Sequence, residues 1–195
     1  MDPIGIIVRL QVQQSGLKVG AAPRRWYDPT PLLAVPALHL GASGVSAWDA
    51  QGERICDVHH KDHPASRNVR GRNGISIGFT AHYDAMRARF GAHLGDGLAG
   101  ENILVQTDRT FGEADLRDGV AIVLQDGRAI RLERILLTEP CVEFTRYALR
   151  YSSDAPSDHS VSEALSFLRG GMRGFYASYA GEPATVRLGD PVLRC

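Results

Sequence analysis

Two apolar, β-branched runs flank the dipeptide Asp126-Gly127 in the stretch VAIVLQDGRAIRLERILL. An Asp-Gly pair between such runs predicts a tight β-hairpin, because both residues accept the positive φ angles of the turn. Further strand signals come from IGIIVRLQVQQ, which alternates from Ile4, from ENILVQT and from ATVRLGDPVLRC. The last stretch predicts a pair of strands with Pro191 at an edge or a strand start. Local hairpins therefore dominate the predicted fold.

Two stretches predict helices near residues 80–90 and 160–169. TAHYDAMRARFG offers Thr80 as an N-cap and a glycine as a C-terminal stop. SVSEALSFLRGG offers a capping box formed by Ser160 and Glu163. No strand–helix alternation typical of a parallel sheet is visible. We therefore expect a mainly β fold with flanking helices, arranged as a mostly antiparallel barrel or sandwich.

The composition predicts one soluble, intracellular domain that spans residues 1–195. Basic and acidic side chains number 22 each, so no global charge attracts nucleic acid or an anionic membrane surface. No apolar run approaches the ~18 residues of a membrane helix, and the first residues do not resemble a signal peptide. The three cysteines are an odd number, which fits a reducing compartment. We expect a cytoplasmic protein without a nucleic-acid or membrane partner.

A polar, turn-rich segment covers residues 41–74, and a connection of this length without regular structure is usually functional or disordered. Its histidines are His59, His60 and His63. The run CDVHHKDH contains possible zinc ligands, but no second pair of ligands has the spacing of a zinc site. We therefore expect a solvated, partly mobile loop from Cys56 to Arg72 that lies over a cleft.

The stretch GDGLAGENILVQ places Glu101 and Asn102 between a glycine-rich turn and an apolar run. The glycines suit a turn because they accept positive φ angles, but a turn does not explain the acid–amide pair. Two interpretations remain open. The pair bonds the local backbone where the chain enters a strand, or it forms the wall of a site.

Cys141 follows the predicted hairpin in LLTEPCVEF, where Pro140 ends regular strand pairing. A thiol at such a position can act as a nucleophile or as a soft-metal ligand if nearby positive charge stabilises the thiolate. The alternative is a small buried apolar side chain. Cys56 and the terminal Cys195 have weaker claims to reactivity.

Arginines are clustered in two glycine-containing stretches, and such guanidinium groups can form a phosphate or carboxylate pocket. These arginines are Arg67, Arg70, Arg72, Arg169 and Arg173. A solvated surface is the alternative interpretation for each of them. We expect Cys141 at the floor of a cleft lined by Asn102 and arginine side chains, and we expect it to be the most reactive thiol.

Taken together, GDGLAGENILVQ, the later EPC and the terminal RGFYASYAGEPATVRLGDPVLR resemble the MOSC family, whose members are similar to the C-terminal part of molybdenum-cofactor sulfurases. The resemblance extends from about Gly5 to Leu193. Its most specific parts are Gly100-Glu101-Asn102, the single Cys141 after a hairpin, and Arg173-Gly174-Phe175-Tyr176 followed by Gly189-Asp190. Arg72-Asn73-Gly74 stands where the family has His-Gly-Gly, whereas the family's His-Tyr pair is present as His82-Tyr83.

The resemblance implies a β-barrel whose cleft presents one cysteine to a molybdenum cofactor, a pterin that carries a phosphate. It implies that Cys141 is a metal ligand or a persulfide carrier. The residues that it places at the cofactor are Glu101, Asn102, Arg72, Arg173 and Tyr176.

The activity that the resemblance implies is the reduction of N-hydroxylated compounds or the transfer of sulfur. An electron-donor or sulfur-donor protein would then be a partner, because the chain has no ferredoxin-type cysteine spacing and no flavin motif. The alternative is a ligand-binding module that keeps the fold without the molybdenum cofactor.

Overall fold

The structure is a computed structural model that describes residues 1–66, 68, 73–152 and 158–195. The strands are β1 Asp2–Gln13, β2 Lys18–Val19, β3 Trp26–Tyr27, β4 Leu32–Ala34, β5 Ala37–Gly41, β6 Gly44–Trp48, β7 Arg54–Cys56, β8 Ile75–Phe79, β9 Ile103–Gln106, β10 Val120–Val123, β11 Ala129–Leu137, β12 Phe175–Ser178, β13 Ala184–Arg187 and β14 Pro191–Arg194. The helices are α1 Thr80–Phe90, α2 Val142–Ala148 and α3 His159–Leu168, with a 3-10 helix at Glu113–Leu116. The predicted fold class, mainly β with flanking helices, is confirmed.

Seven strands close into a barrel around the larger apolar core. Their order is β1, β9, β8, β12, β11, β10 and β14, and β14 pairs back onto β1. β1 is long enough to serve three neighbours, because its successive parts pair with β14, β9 and β4. Ile77, Ile103 and Phe175 are among the buried side chains of this core. Closure matters because a closed sheet leaves no unpaired edge along these strands.

The hairpin predicted at Asp126-Gly127 is confirmed. β10 and β11 pair antiparallel, with Val123 opposite Ala129 nearest the turn. Gly127 has a φ of 84°, a value that glycine adopts without strain. The turn is local in sequence, so local residues were sufficient to predict it.

One connection differs from the sequence prediction, because β8 and β9 are parallel neighbours joined by α1. All five residues of β8 are buried, so the strand needs cover on both faces, as strands of parallel sheets do. The cover is a second apolar core between the barrel and the helices. It contains Tyr83 and Met86 of α1, Leu104 of β9, Phe144 of α2 and Leu168 of α3.

The described part of the segment 41–74 contains strands that its composition did not indicate. β5, β6 and β7 form an antiparallel meander, and β13 joins it with Thr185 opposite His39. Small residues and burial along most of β6 remove the alternation that would have revealed it. The predicted terminal pair is also revised, since β13 belongs to this sheet and β14 belongs to the barrel.

The helices near residues 80–90 and 160–169 are confirmed, but their caps differ from the prediction. Thr80 is the first residue of α1 rather than its N-cap. The carboxylate of Asp158 caps α3 by accepting a 3.0 Å hydrogen bond from the Val161 N–H, so the capping box of Ser160 and Glu163 was wrong. No helix in the described ranges is both long and apolar enough to cross a membrane.

Candidate functional site

A cavity of about 480 Å³ lies between the β2–β3 hairpin, the loop after β7, the turn before β9 and the start of α2. Pockets that enclose small organic ligands have volumes of about 300–1,000 Å³. Segments far apart in the sequence meet here, and they supply most of the charged side chains at the wall. The chemically active wall residues are Lys18, Arg25, His59, Glu101, Cys141, Arg173 and Tyr176.

Cys141 lines this cavity, whereas Cys56 and Cys195, which the structure also describes, do not. Cys141 is the N-cap residue of α2 and has extended φ and ψ angles of −117° and 154°. Its carbonyl accepts hydrogen bonds from Thr145 N at 3.0 Å and from Thr145 Oγ1 at 2.8 Å. The thiol is partly exposed, so Cys141 is not the fully buried apolar side chain of the alternative interpretation.

Arg173 brings a buried positive charge to the thiol. Its Nη1 lies 4.0 Å from Cys141 Sγ, and its Nη2 donates a 2.8 Å hydrogen bond to the Ala99 carbonyl. Its Cζ lies 3.8 Å from the centroid of the Phe144 ring, which is a cation–π contact. Arg173 is only 6 % exposed, so its charge is poorly screened by solvent.

Lys18 and Arg25 add positive charge from the β2–β3 hairpin. No sequence motif indicates either of them. Lys18 Nζ lies 3.7 Å from Glu143 Oε2, and Arg25 Nε lies 3.8 Å from Glu143 Oε1. Such long, partly exposed ion pairs contribute little stability. An anionic ligand can therefore exchange with Glu143 at small cost.

Glu101 is a buried residue of the cavity wall. Burial raises the pKa of its carboxyl group, and Tyr83 Oη donates a 2.7 Å hydrogen bond to its Oε2. Tyr83 Oη also accepts a 2.9 Å hydrogen bond from Ala99 N. A Cβ atom added at Gly78 would lie 2.8 Å from Glu101 Cγ, and one added at Gly174 would lie 3.2 Å from it. Both glycines therefore make room for this carboxyl group.

Asn102 does not line the cavity, so the expectation that it does was wrong. Its Oδ1 accepts hydrogen bonds from Ser76 N at 3.0 Å and from Ser76 Oγ at 2.9 Å. Its Nδ2 donates to the Gln11 carbonyl at 3.2 Å and to Asp57 Oδ2 at 2.7 Å. These partners are distant in sequence, so the local-turn interpretation fails as well. Asn102 instead joins β9 to β8, β1 and the loop after β7.

Asp57 is the central acceptor of a buried hydrogen-bond network, and no sequence motif indicates this role. Its fully buried carboxylate accepts hydrogen bonds from Gln13 N and Asn102 Nδ2, both at 2.7 Å. It also accepts from His59 N at 2.9 Å and interacts with His59 Nδ1 at 3.0 Å. His60 of the same loop is buried too, so the interpretation of a solvated loop was wrong here. Among the described residues, no three His, Cys, Asp or Glu side chains are grouped as metal ligands would be.

His59 and Tyr176 form the aromatic part of the wall. Their ring centroids are 5.8 Å apart, and the ring planes are inclined by 58°. Burial raises the pKa of the Tyr176 phenol, so the hydroxyl keeps its proton at neutral pH and can donate a hydrogen bond. The wall thus offers hydrogen-bonding groups as well as charge.

Of the arginines in the two glycine-containing stretches, Arg173 is at the cavity. Arg169 is exposed at the end of α3 and does not line the cavity. Arg67, Arg70 and Arg72 lie outside the residues that the structure describes. The assignment of Arg72 to the cofactor therefore stays a prediction.

No known protein-family profile matches the chain, and no curated protein matches it in sequence. Solved structures do match in fold. YuaD from Bacillus subtilis matches with a TM-score of 0.51 and 17 % identity, over 96 % of this chain and 97 % of that one. YiiM from Geobacillus stearothermophilus matches with a TM-score of 0.50 and 15 % identity, over 100 % and 74 % of the two chains.

YiiM from Escherichia coli also matches, with a TM-score of 0.50 and 14 % identity, over 84 % of this chain and 64 % of that one. YuaD and YiiM are MOSC-domain proteins. At these identities the likeness concerns the fold alone. The barrel and its flanking helices therefore have a MOSC-like β-barrel fold.

Proposed function

We propose that the cavity binds a molybdenum cofactor of the pterin type and that Cys141 Sγ is the protein ligand of its metal. One observation carries this proposal. A partly exposed thiol and a buried guanidinium, 4.0 Å apart at Cys141 and Arg173, share a cavity of about 480 Å³. Thiolate sulfur is the protein ligand that soft metal centres prefer. The MOSC-like fold supports the proposal, because the resemblance to the MOSC family implies a cleft that presents one cysteine.

The wall residues fit such a cofactor by their chemistry. The cofactor combines a planar heterocycle with a phosphate, so it needs both hydrogen-bonding groups and cations. Lys18 and Arg25 would receive the phosphate, because their present partner, Glu143, holds them only loosely. His59 and Tyr176 would meet the heterocycle, since both rings line the cavity and carry polar atoms.

The chain's own residues would hold and orient the cofactor. Cys141 would provide the metal ligand, and the nearby Arg173 charge would stabilise that sulfur in its anionic form. Glu101, hydrogen-bonded to Tyr83, would add an uncharged carboxyl group to the cavity wall at pH values below its raised pKa. When bound, the cofactor would supply two-electron redox chemistry that protein side chains lack.

The substrate class that we propose is N-hydroxylated compounds. Conversion of an N–OH group to N–H consumes two electrons and two protons and releases water, so an electron donor is required. Because the chain offers no ferredoxin-type cysteine spacing, the electrons would come from a partner protein.

The same thiol supports sulfur transfer as a second role. The Cys141 thiolate would attack the terminal sulfur of a donor persulfide, and the donor would leave as a thiolate. The partial exposure of Cys141 favours this role, because the attacking sulfur must be reached by the donor.

The test is to produce the protein with ample molybdate and to measure molybdenum by elemental analysis and the pterin by fluorescence. We expect both in the wild type and in Cys56→Ser and Cys195→Ser, and we expect Cys141→Ser to lose the metal. Serine nearly fills the volume of cysteine but is a poor soft-metal ligand. Circular dichroism shows whether each variant keeps its fold.

Full molybdenum content in Cys141→Ser would contradict the assignment of the ligand. A wild-type protein that contains neither molybdenum nor pterin would favour the ligand-binding module. Purified protein that retains the cofactor is then tested with a simple N-hydroxylated amidine and reduced viologen as electron donor. We expect formation of the amidine in the wild type and none in Cys141→Ser.

A further inference from the structure

The side chains of Asp57 and His59 interact with each other at the cavity. His59 lines the cavity wall, and Asp57 is buried behind it. The Asp57 carboxylate faces hydrogen-bond donors on both oxygens. Gln13 N and Asn102 Nδ2 lie 2.7 Å from Oδ2, and His59 N and Nδ1 lie 2.9 and 3.0 Å from Oδ1. A carboxylate is an acceptor only, so it orders the His59 ring by taking the proton of Nδ1 into a hydrogen bond.

In the neutral ring, a proton on Nδ1 that is donated to Asp57 leaves Nε2 of His59 without a proton. Among the described residues, no side chain or backbone group forms a hydrogen bond with that nitrogen, and the His59 ring lines the cavity. The other two histidines of the loop differ. His60 Nε2 contacts Arg54 Nη2 at 3.0 Å, and His63 Nε2 contacts the Gln14 carbonyl at 3.1 Å.

We propose that His59 is the proton-transfer residue of this cavity and that Asp57 is its positioning residue. Nε2 of His59 takes a proton from an O–H or N–H group of the bound ligand, and the imidazolium that forms stays hydrogen-bonded to the Asp57 carboxylate. In the reverse step the same nitrogen returns the proton. In the forward step the O–H or N–H bond of the ligand breaks as the N–H bond at Nε2 forms, and the electron pair of the broken bond stays on the ligand.

The ligand class follows from the groups at this wall. Nε2 accepts and the Tyr176 hydroxyl donates, so the wall suits a neutral ligand that carries a donor beside an acceptor. An N-hydroxy group has this pattern. The identity of the ligand rests on the proposed function, whereas the Asp57–His59 pair rests on the geometry alone.

The first test reads the tautomer of His59 by long-range ¹H–¹⁵N correlation spectroscopy at a pH where the ring is neutral. We expect the proton on Nδ1 in the wild type. The side-chain amide introduced by Asp57→Asn has one oxygen and one NH2 group. Its NH2 group must therefore face hydrogen-bond donors, either those of Gln13 and Asn102 or those of His59. Where the NH2 group faces His59, Nδ1 has to accept its hydrogen bond, so we expect the proton to move to Nε2 in this variant. A wild-type proton on Nε2 would overturn the proposal, whether or not Asp57→Asn folds.

The second test measures the reaction of each histidine with diethyl pyrocarbonate, followed by peptide mass mapping. The reagent attacks an imidazole nitrogen that carries no proton, so His59 should react at Nε2. We expect its rate to fall about tenfold in Asp57→Asn, while the exposed His159 keeps its rate. An unchanged ratio between His59 and His159 in a folded variant would count against the positioning role.

The third test uses protein loaded with molybdenum. We expect His59→Gln to keep its molybdenum and to lose turnover of the N-hydroxylated amidine, and we expect the matched variant His63→Gln to keep both. Loss of molybdenum in His59→Gln would make His59 a cofactor ligand and overturn its proton-transfer role. If the wild type holds no molybdenum, the proposed function fails, and the tautomer and the labelling rates still decide the role of the pair.

Discussion

The side-chain amide of Asn102 donates a 2.7 Å hydrogen bond to the carboxylate of Asp57, and both residues are buried. Asn102 directly follows Glu101, and Asp57 precedes His59 by two positions, so one buried hydrogen bond supports both of these cavity-wall residues. A buried polar network is stable only while each member is satisfied. Changes at Asn102 should therefore affect stability and both wall residues together.

Replacement of Asn102 by alanine should lower the free energy of unfolding by about 3 kcal/mol, because buried groups on Ser76, Gln11 and Asp57 lose partners. Urea denaturation measures this loss. Asn73→Ala is the matched control and should cost less than about 1 kcal/mol. Equal losses in the two variants would mean that the network contributes little.

Gly174→Ala should destabilise the protein by about 3 kcal/mol or more, because it adds a backbone clash to an unfavourable φ angle. Gly174 has a φ of 83°, and an added Cβ would lie 2.6 Å from the Ile77 carbonyl oxygen. Gly170 has a φ of 72° with no atom near an added Cβ, so Gly170→Ala should cost only about 1–2 kcal/mol. Thermal or urea unfolding of both variants separates the cost of the steric clash from the cost of the positive φ angle. Similar losses of unfolding free energy in Gly174→Ala and Gly170→Ala would contradict the predicted clash.

Glu101 should make stability depend on pH. Burial raises the pKa of its carboxyl group above the ordinary value of 4.5, so the folded protein keeps a proton that the unfolded chain releases. This contribution is fully present below the unfolded pKa and is lost as the pH rises through the folded pKa. The stability of the wild type relative to Glu101→Gln should therefore fall with rising pH, because glutamine does not ionise.

Urea unfolding from about pH 4 to about pH 8 measures this difference. Glu113→Gln, at an exposed position, is the control and should show a smaller dependence. A difference between the wild type and Glu101→Gln that stays constant or rises with pH would contradict the assignment.

Cys141 should react with iodoacetamide faster than Cys56 and Cys195, because it lines the cavity and the Arg173 guanidinium lies 4.0 Å from its sulfur. Arg173→Gln should slow the labelling of Cys141, because it removes the positive charge that lies 4.0 Å from the sulfur. Arg169→Gln, which changes an exposed arginine nearby, should leave the rate unchanged. Peptide mass mapping gives the three rates, and slower labelling of Cys141 than of Cys56 would refute the prediction.

The sequence predicted the elements whose signals are local. The hairpin at Asp126-Gly127 depends on one dipeptide and two alternating runs, and α1 depends on a periodic apolar face that ends at a glycine. α2 was missed because it has seven residues, begins with a β-branched residue and starts only two positions after Pro140. Its formation depends on packing of Phe144 into the second apolar core, and such packing is not visible in a short sequence window.

The candidate site was predictable only in part, for the same physical reason. Glu101, Cys141, Arg173 and Tyr176 all line the cavity, and they were named from motifs. Asp57 was treated as one polar residue of a solvated loop, because its partner Asn102 lies 45 positions away. Lys18 and Arg25 likewise reach the cavity only because a two-stranded hairpin folds over it.

The wall of the cavity is assembled from segments between Gln13 and Tyr176 that meet only when the barrel has closed. The unfolded chain therefore contains no partial version of the site, and a ligand that fills the cavity binds the folded state alone. By mass action such a ligand raises the free energy of global unfolding by RT ln(1 + [L]/Kd). Slowed amide hydrogen exchange should then extend through the barrel strands rather than stay confined to the loops that touch the ligand.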